Sequence, residues 1–168
     1  GCFLLDGDGT VWVGSERKLY HIDPKGTVYS ISSSDQKNSK SLGPGSVNAI
    51  LRDRSGTLWV GVSSGLHRFE EKSASFEKFQ HIKNDSTSLS SNVVLNLLED
   101  HRGKLWIGTE DGLNLIESTT GRFTRFTTAE GMAGRTIVSL QEDENGNIWV
   151  ATEVGISQVK GNTRVITN

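Results

Sequence analysis

Four tryptophans, Trp12, Trp59, Trp106 and Trp149, recur at steps of 47, 47 and 43 residues, each inside the same phrase. The phrases read D-G-D-G-T-V-W-V-G, D-R-S-G-T-L-W-V-G, D-H-R-G-K-L-W-I-G and D-E-N-G-N-I-W-V-A. An aspartate stands six residues before each tryptophan (Asp6, Asp53, Asp100, Asp143) and a glycine three before (Gly9, Gly56, Gly103, Gly146). A small residue follows two positions on (Gly14, Gly61, Gly108, Ala151), and an aliphatic one seven on (Leu19, Leu66, Leu113, Ile156). Offsets held four times describe a chain made of copies of one unit, each needing its neighbours to bury its apolar face.

The second copy shows what that unit is. V-N-A-I-L-R (Val47 to Arg52), T-L-W-V-G-V (Thr57 to Val62), G-L-H-R-F-E (Gly65 to Glu70) and S-F-E-K-F (Ser75 to Phe79) are short apolar runs separated by Gly, Ser and Asp turns. That pattern reads as four strands, and no helical periodicity competes with it. Four strands per repeat of this length describe the blade of an all-β propeller. The blades fall at about 2–31, 47–80, 93–127 and 137–168 of one propeller segment. Middle strands covered on both faces lose polar alternation, as L-W-V-G does. The tryptophans are therefore expected to fill the gaps between blades, and the small residue after each to admit close backbone approach. Polar linkers join successive blades: Ser32 to Gly45, His81 to Asn92 and Thr127 to Arg135. The first, rich in Ser, Gly and Lys, reads as mobile. The chain offers no spare strand to clasp a ring shut, so a partial propeller, or one completed by further blades or self-association, is expected.

Composition narrows the function classes. A net charge of −2, with lysines and arginines scattered, gives no stripe for nucleic acid. No run approaches the length of a membrane span, so this segment is expected to make no direct membrane contact. The single cysteine, Cys2, allows neither an internal disulfide nor a paired-cysteine zinc site.

The acidic opening, Asp6 to Gly9, invites a calcium reading. A calcium loop begun at Asp6 would need glycine at position 6 and glutamate at position 12, where Val11 and Arg17 stand. The copies keep only the first aspartate and the glycine, while Asp8 gives way to Ser55, Arg102 and Asn145. The motif thus reads as a hairpin turn, with aspartate bonding the backbone two residues on, glycine taking a positive φ, and Asp8 incidental. The histidines His21, His67, His81 and His101 fit surface or interblade positions and no metal-ligand spacing. No cofactor or metal is expected.

Candidate ligand contacts lie in the short loops between second and third strands, which emerge with the interblade linkers on one face. They are Glu16 and Arg17 in the first blade, Ser63 and Ser64 in the second, Glu110 and Asp111 in the third, and Glu153 in the fourth. Loops on a rigid scaffold are where binding residues concentrate.

The stretch S-L-S-S-N-V-V-L-N-L-L-E-D-H-R-G-K-L-W-I-G-T-E-D-G-L-N, Ser88 to Asn114, resembles the two-component regulator propeller repeat. The second copy resembles it nearly as well. The fourth departs at Ala151, and the first at Lys18, which replaces the glycine of G-L. The resemblance implies a sensor region of a hybrid histidine kinase, extracytoplasmic and often tied to glycan uptake. It further implies a non-enzymatic module that receives a small molecule or oligosaccharide and passes a change of packing to an output domain. Two alternatives stand beside it: an enzyme akin to the streptogramin lyases, whose repeats are related, and a pure interaction or dimerisation scaffold.

Overall fold

Each copy of the repeat folds as an antiparallel meander in which every strand pairs with its sequence neighbour. The structure is a computed structural model, and it describes residues 1–32, 41–70, 72–117, 120–160 and 166–167. The first sheet comprises Cys2–Leu5, Val11–Gly14, Lys18–Ile22 and Val28–Ser32 (β1–β4). The second comprises Val47–Arg52, Leu58–Val62, Gly65–Glu70 and Ser75–Phe79 (β5–β8). The third is Val94–Glu99, Leu105–Thr109, Gly112–Glu117 and Arg122–Phe126 (β9–β12). The fourth is Ile137–Glu142, Ile148–Thr152, Ile156–Val159 and Ile166–Thr167 (β13–β16). The fold is thus all-β, with four propeller blades that do not close into a ring. In the third linker a single 3-10 turn, Thr128–Glu130, is capped by Thr127. Most of the first linker's centre, 33–40, lies outside the described residues, and with it the expectation of mobility there.

The turn chemistry explains the fixed aspartate and glycine. In the second blade Asp53 Oδ1 accepts the Ser55 and Thr57 amides at 2.9 Å each. Asp100 and Asp143 do the same for their own turns. The glycines adopt φ between 76° and 88° (Gly103 76°, Gly146 77°, Gly9 and Gly56 88°), the left-handed region that a side chain penalises. The other carboxylate oxygen has a second duty. It accepts the indole N–H of the tryptophan six residues on, at 2.9 Å in blade 1, 2.8 Å in blade 2, 3.0 Å in blade 3 and 2.9 Å in blade 4. The turn aspartate thereby pairs the indole donor, which in the first three blades lies on a buried ring.

Blade 1 divides these tasks between two aspartates. There Asp8 Oδ1 takes the Thr10 amide at 2.9 Å. Asp6, relieved of it, grips Arg52 of blade 2 through both oxygens at 2.8 Å. Asp8 is therefore not incidental, and the alignment of copies hid its role because no other blade splits the work.

Packing between blades builds three apolar clusters. Trp12, Leu19 and Leu42 meet Leu58, Val60 and Val62; Trp59, Leu66 and Leu89 meet Leu105 and Ile107; Trp106, Leu113 and Met132 meet Ile148 and Val150. The small residue after each tryptophan is a socket. A Cβ at Gly14, Gly61 or Gly108 would lie 2.6, 2.6 or 2.7 Å from a methyl of Val47, Val94 or Ile137 on the next blade's inner strand. Asn48 and Asn96 stitch the inner strands together, each giving its amide to a carbonyl of the next blade (Val94 and Ile137) at 2.8 Å.

The interblade placement of the tryptophans holds for three. Trp12, Trp59 and Trp106 are at most 5% exposed, whereas Trp149 is 42% exposed, because no sheet among the described residues packs on that side of blade 4. Ile156 shares that uncovered surface, and Phe3 and Leu5 stand open at the opposite end of the arc.

Candidate functional site

The loops between second and third strands do gather on one face with the interblade linkers, and backbone bonds fasten loop to linker at each junction. At the end of the first linker Val47 N donates to Ser15 O at 2.9 Å and Ser63 N to Ser46 O at 3.0 Å; at the second Glu110 N donates to Val93 O at 3.1 Å, and at the third Gly112 N to Arg135 O at 2.7 Å. Deeper in, each linker inserts one apolar side chain, Leu42, Leu89 or Met132, all at most 4% exposed. The linkers are polar in composition but anchored by these residues.

Beside each anchor lies a buried polar group on the third strand of the blade that follows. Asn114 Oδ1 accepts Ser90 N at 2.9 Å, and Ser157 Oγ accepts Ala133 N at 2.9 Å. The equivalent residue in blade 2 is His67, 1% exposed, an interblade histidine whose Nδ1 has no hydrogen-bond partner among the described residues. Burial, aided by the charge of Lys78, lowers its pKa from 6.5 to about 4. The unfolded chain binds this proton near pH 6.5, and the native protein refuses it until about pH 4. Stability is therefore expected to fall as pH drops through that window, by up to about 1.4 kcal/mol per pH unit, and to gain nothing from this group above it. Urea midpoints at about pH 7.5 and about pH 5 check this. His67→Asn, which installs the blade 3 residue, should flatten the difference, and an unchanged slope would remove His67 as its cause.

The seven candidate residues separate into groups. Asp111 and Glu153 meet around Arg135 of the third linker. Arg135 Nε donates to Asp111 Oδ1 at 2.8 Å, while the Arg135 and Thr136 amides donate to Glu153 at 3.0 and 2.8 Å. The Arg135 amide foremost, then Glu153's own backbone amide, with smaller help from the Thr136 amide and the Arg135 charge, hold Glu153 below the usual carboxylate range. Ser64 holds the first linker, its Oγ donating to Leu42 O at 3.3 Å, while Ser63 Oγ accepts the Asn48 amide of its own blade at 3.4 Å. Glu16 and Arg17 in blade 1 and Glu110 in blade 3 are exposed. Several of these side chains thus position linkers, and the seven do not converge on one point. The organising residue the sequence reading missed is Arg135, detectable only as a cation two residues before the fourth blade's inner strand.

Among the described residues no group of three His, Cys, Asp or Glu side chains could hold a metal ion, and no helix is long and apolar enough to cross a membrane. The arrangement offers a rim of carboxylates, hydroxyls and backbone amides suited to hydrogen bonding a polar ligand.

Comparison with known proteins places this geometry. Residues 6–132 match the family described as SMP-30/Gluconolactonase/LRE-like region, and residues 131–154 match the two component regulator propeller repeat. The extracellular domain of a hybrid two component system from B. thetaiotaomicron superimposes with a TM-score of 0.86 at 21% identity, over 99% of this chain and 24% of that one. A second such domain from the same organism gives 0.83 at 20% identity, with 99% and 24% covered. Virginiamycin B lyase from Staphylococcus aureus gives 0.70 at 16% identity, with 99% and 53% covered. At such identities these are likenesses of fold, and the chain spans about a quarter of the length of the two extracellular domains. No curated protein matches the chain.

Proposed function

This chain belongs to the SMP-30/gluconolactonase/LRE-like family, and from that premise and its two-component regulator repeat we propose that it is a non-enzymatic sensing module of a signalling receptor. The module receives a glycan-derived ligand on the loop face, outside the cytoplasm. The observation that carries this reading is the fastening of every blade junction to a linker on that face. A ligand bridging loops of adjacent blades bears directly on their packing. Differential affinity for two packings is what a receptor needs to turn binding into signal.

An enzymatic reading draws on the family description and on the lyase likeness. It requires an acid and a base free to exchange protons with a substrate. Both oxygens of Glu153 receive linker amides and Asp111 is paired with Arg135, so this carboxylate pair is engaged in structure.

Calorimetry of the propeller with neutral oligosaccharides is expected to give saturable binding that a Glu16→Ala/Glu110→Ala variant weakens. The receptor that contains this segment should lose its response when the segment is deleted. A receptor that responds unchanged after deletion overturns the proposal.

A further inference from the structure

On the edge opposite the loop face, the hairpin turns of adjacent blades meet; at two of the three junctions the residue after the turn aspartate fills the seam, whereas the first is crossed by the Asp6–Arg52 ion pair. Between blades 2 and 3, Arg54 N donates to Glu99 at 3.0 Å and Arg54 Nη1 to His101 O at 2.7 Å. Between blades 3 and 4, His101 N donates to Glu142 at 2.8 Å and the imidazole packs on the same carboxylate. The residue that supplies each clasp follows the turn aspartate, and in blade 1 that position is Gly7. A Cβ there would meet nothing within 4 Å. The missing side chain leaves a cleft of about 600 Å³ between blades 1 and 2, walled by Asp6, Asp8, Arg52, Thr57 and Phe69. It runs on into a second space of about 320 Å³ that shares Asp6, Asp8, Arg52 and Phe69 and ends on His21 and Tyr29. Phe69 is only half-buried, whereas its counterparts Ile116 and Val159 are buried.

The far wall of this groove is aromatic. Trp12 stacks on His21 at 4.6 Å between ring centroids and His21 on Tyr29 at 5.6 Å, which leaves Tyr29 52% exposed on the outside of the pile. This stack belongs to blade 1 alone. In blade 2 the residues at the His21 and Tyr29 positions are Arg68 and Glu77, and they form an ion pair at 2.6 Å.

The geometry points to a carbohydrate-binding groove at this junction, taking a neutral sugar ring that lays its C–H face on Tyr29 and sets its hydroxyls against Asp8, Arg52 and Thr57. The chemistry of the walls selects the class. Asp6 and Arg52 neutralise each other across the cleft, and Asp8 adds a carboxylate that an anionic ligand would meet, so the walls offer paired donors and acceptors in place of a strong field. A hydroxyl both donates and accepts, so a neutral polyol satisfies both kinds of wall at once. A groove with one aromatic face and a few convergent polar groups is the usual form of a small-ligand site. It lies on the opposite edge from the loop face and stands or falls separately from sensing there.

The test is by amide chemical shifts of the 168-residue protein, titrated to millimolar concentration with cellobiose, maltose and xylobiose, and with glucosamine and glucuronate as charged probes. A neutral disaccharide is expected to shift the Gly7, Asp8 and Ser55 amides. Gly7→Leu, which fills the cleft from an unstrained position, should weaken binding by about tenfold or more, and Tyr29→Ala by a similar factor. Glu144→Leu, the same side chain at the matching position of blade 4, should leave binding unchanged. Native-like spectra of the variants separate lost binding from lost folding. Shifts confined to the loop face, tighter binding of either charged probe, or no shift with any neutral sugar would overturn the inference. Loop-face shifts alone would leave the sensing proposal standing while ending this one.

Discussion

Trp106→Ala is expected to destabilise the protein by about 3–5 kcal/mol, the range for removing a large buried aromatic. Trp149→Ala, the same substitution at the same place in the repeat, should cost about 1–2 kcal/mol. Trp106 is 2% exposed and packed against Phe126 at 5.7 Å, with the third interblade cluster closing over it. Its loss leaves a cavity at the centre of a junction and strips a buried aspartate, Asp100, of its indole donor. Trp149 makes the equivalent bond to Asp143, but its ring faces outward and no sheet among the described residues covers it. Urea denaturation of the two variants checks the contrast. Equal losses would mean that blade 4's outer surface is covered in solution.

Gly108→Ala is expected to cost about 1–3 kcal/mol, although it adds one methyl and copies what blade 4 carries at Ala151. The new Cβ would lie 2.7 Å from Ile137 Cγ2, 3.0 Å from Ile137 Cβ and 3.3 Å from Asn96 Cβ. Neither neighbour can yield cheaply. Ile137 is fully buried, and its carbonyl holds the Asn96 amide at 2.8 Å. The measurement is a double-mutant cycle with Ile137→Ala, which removes the opposing methyl. A favourable coupling of about 1 kcal/mol between the two changes is expected, and strict additivity would sink the socket account. The same contact accounts for alanine in blade 4, since no described inner strand presses a branched side chain against Ala151.

How much of this could be read beforehand differs between backbone and site. The strands of the second copy were legible almost to the residue, with β6 beginning at Leu58 rather than Thr57. Glycine at a fixed offset reports a backbone angle, and local geometry is what a one-dimensional repeat encodes well. The turn role of the aspartates was legible for the same reason. Their bond to the indole was not, because the six-residue offset becomes a contact only once β1 and β2, or their equivalents, have paired. Asp8 was misjudged because comparison of copies reveals what they share, and its value lies in letting Asp6 reach across to Arg52. The loop carboxylates sit beside the linkers, but their partners were not foreseeable. Arg135 comes from the linker, which its composition marked only as polar. The same composition hid Leu42, Leu89 and Met132, single apolar residues that act as pegs.

Those pegs bear on how such a chain can change over time. From Leu42, Leu89 or Met132 to the next tryptophan the count never varies, and from Trp59 to Phe79 it equals that from Trp106 to Phe126. The whole difference between the 47- and 43-residue steps falls between Phe79 and Leu89 on one side and Phe126 and Met132 on the other. A linker pinned at its far end by a peg and a buried polar partner can lengthen or shorten ahead of that pin without turning one blade against the next. Variation in length is thus quarantined to one stretch per repeat, and recognition on the loop face can be rewritten there while the frame beneath keeps its pitch.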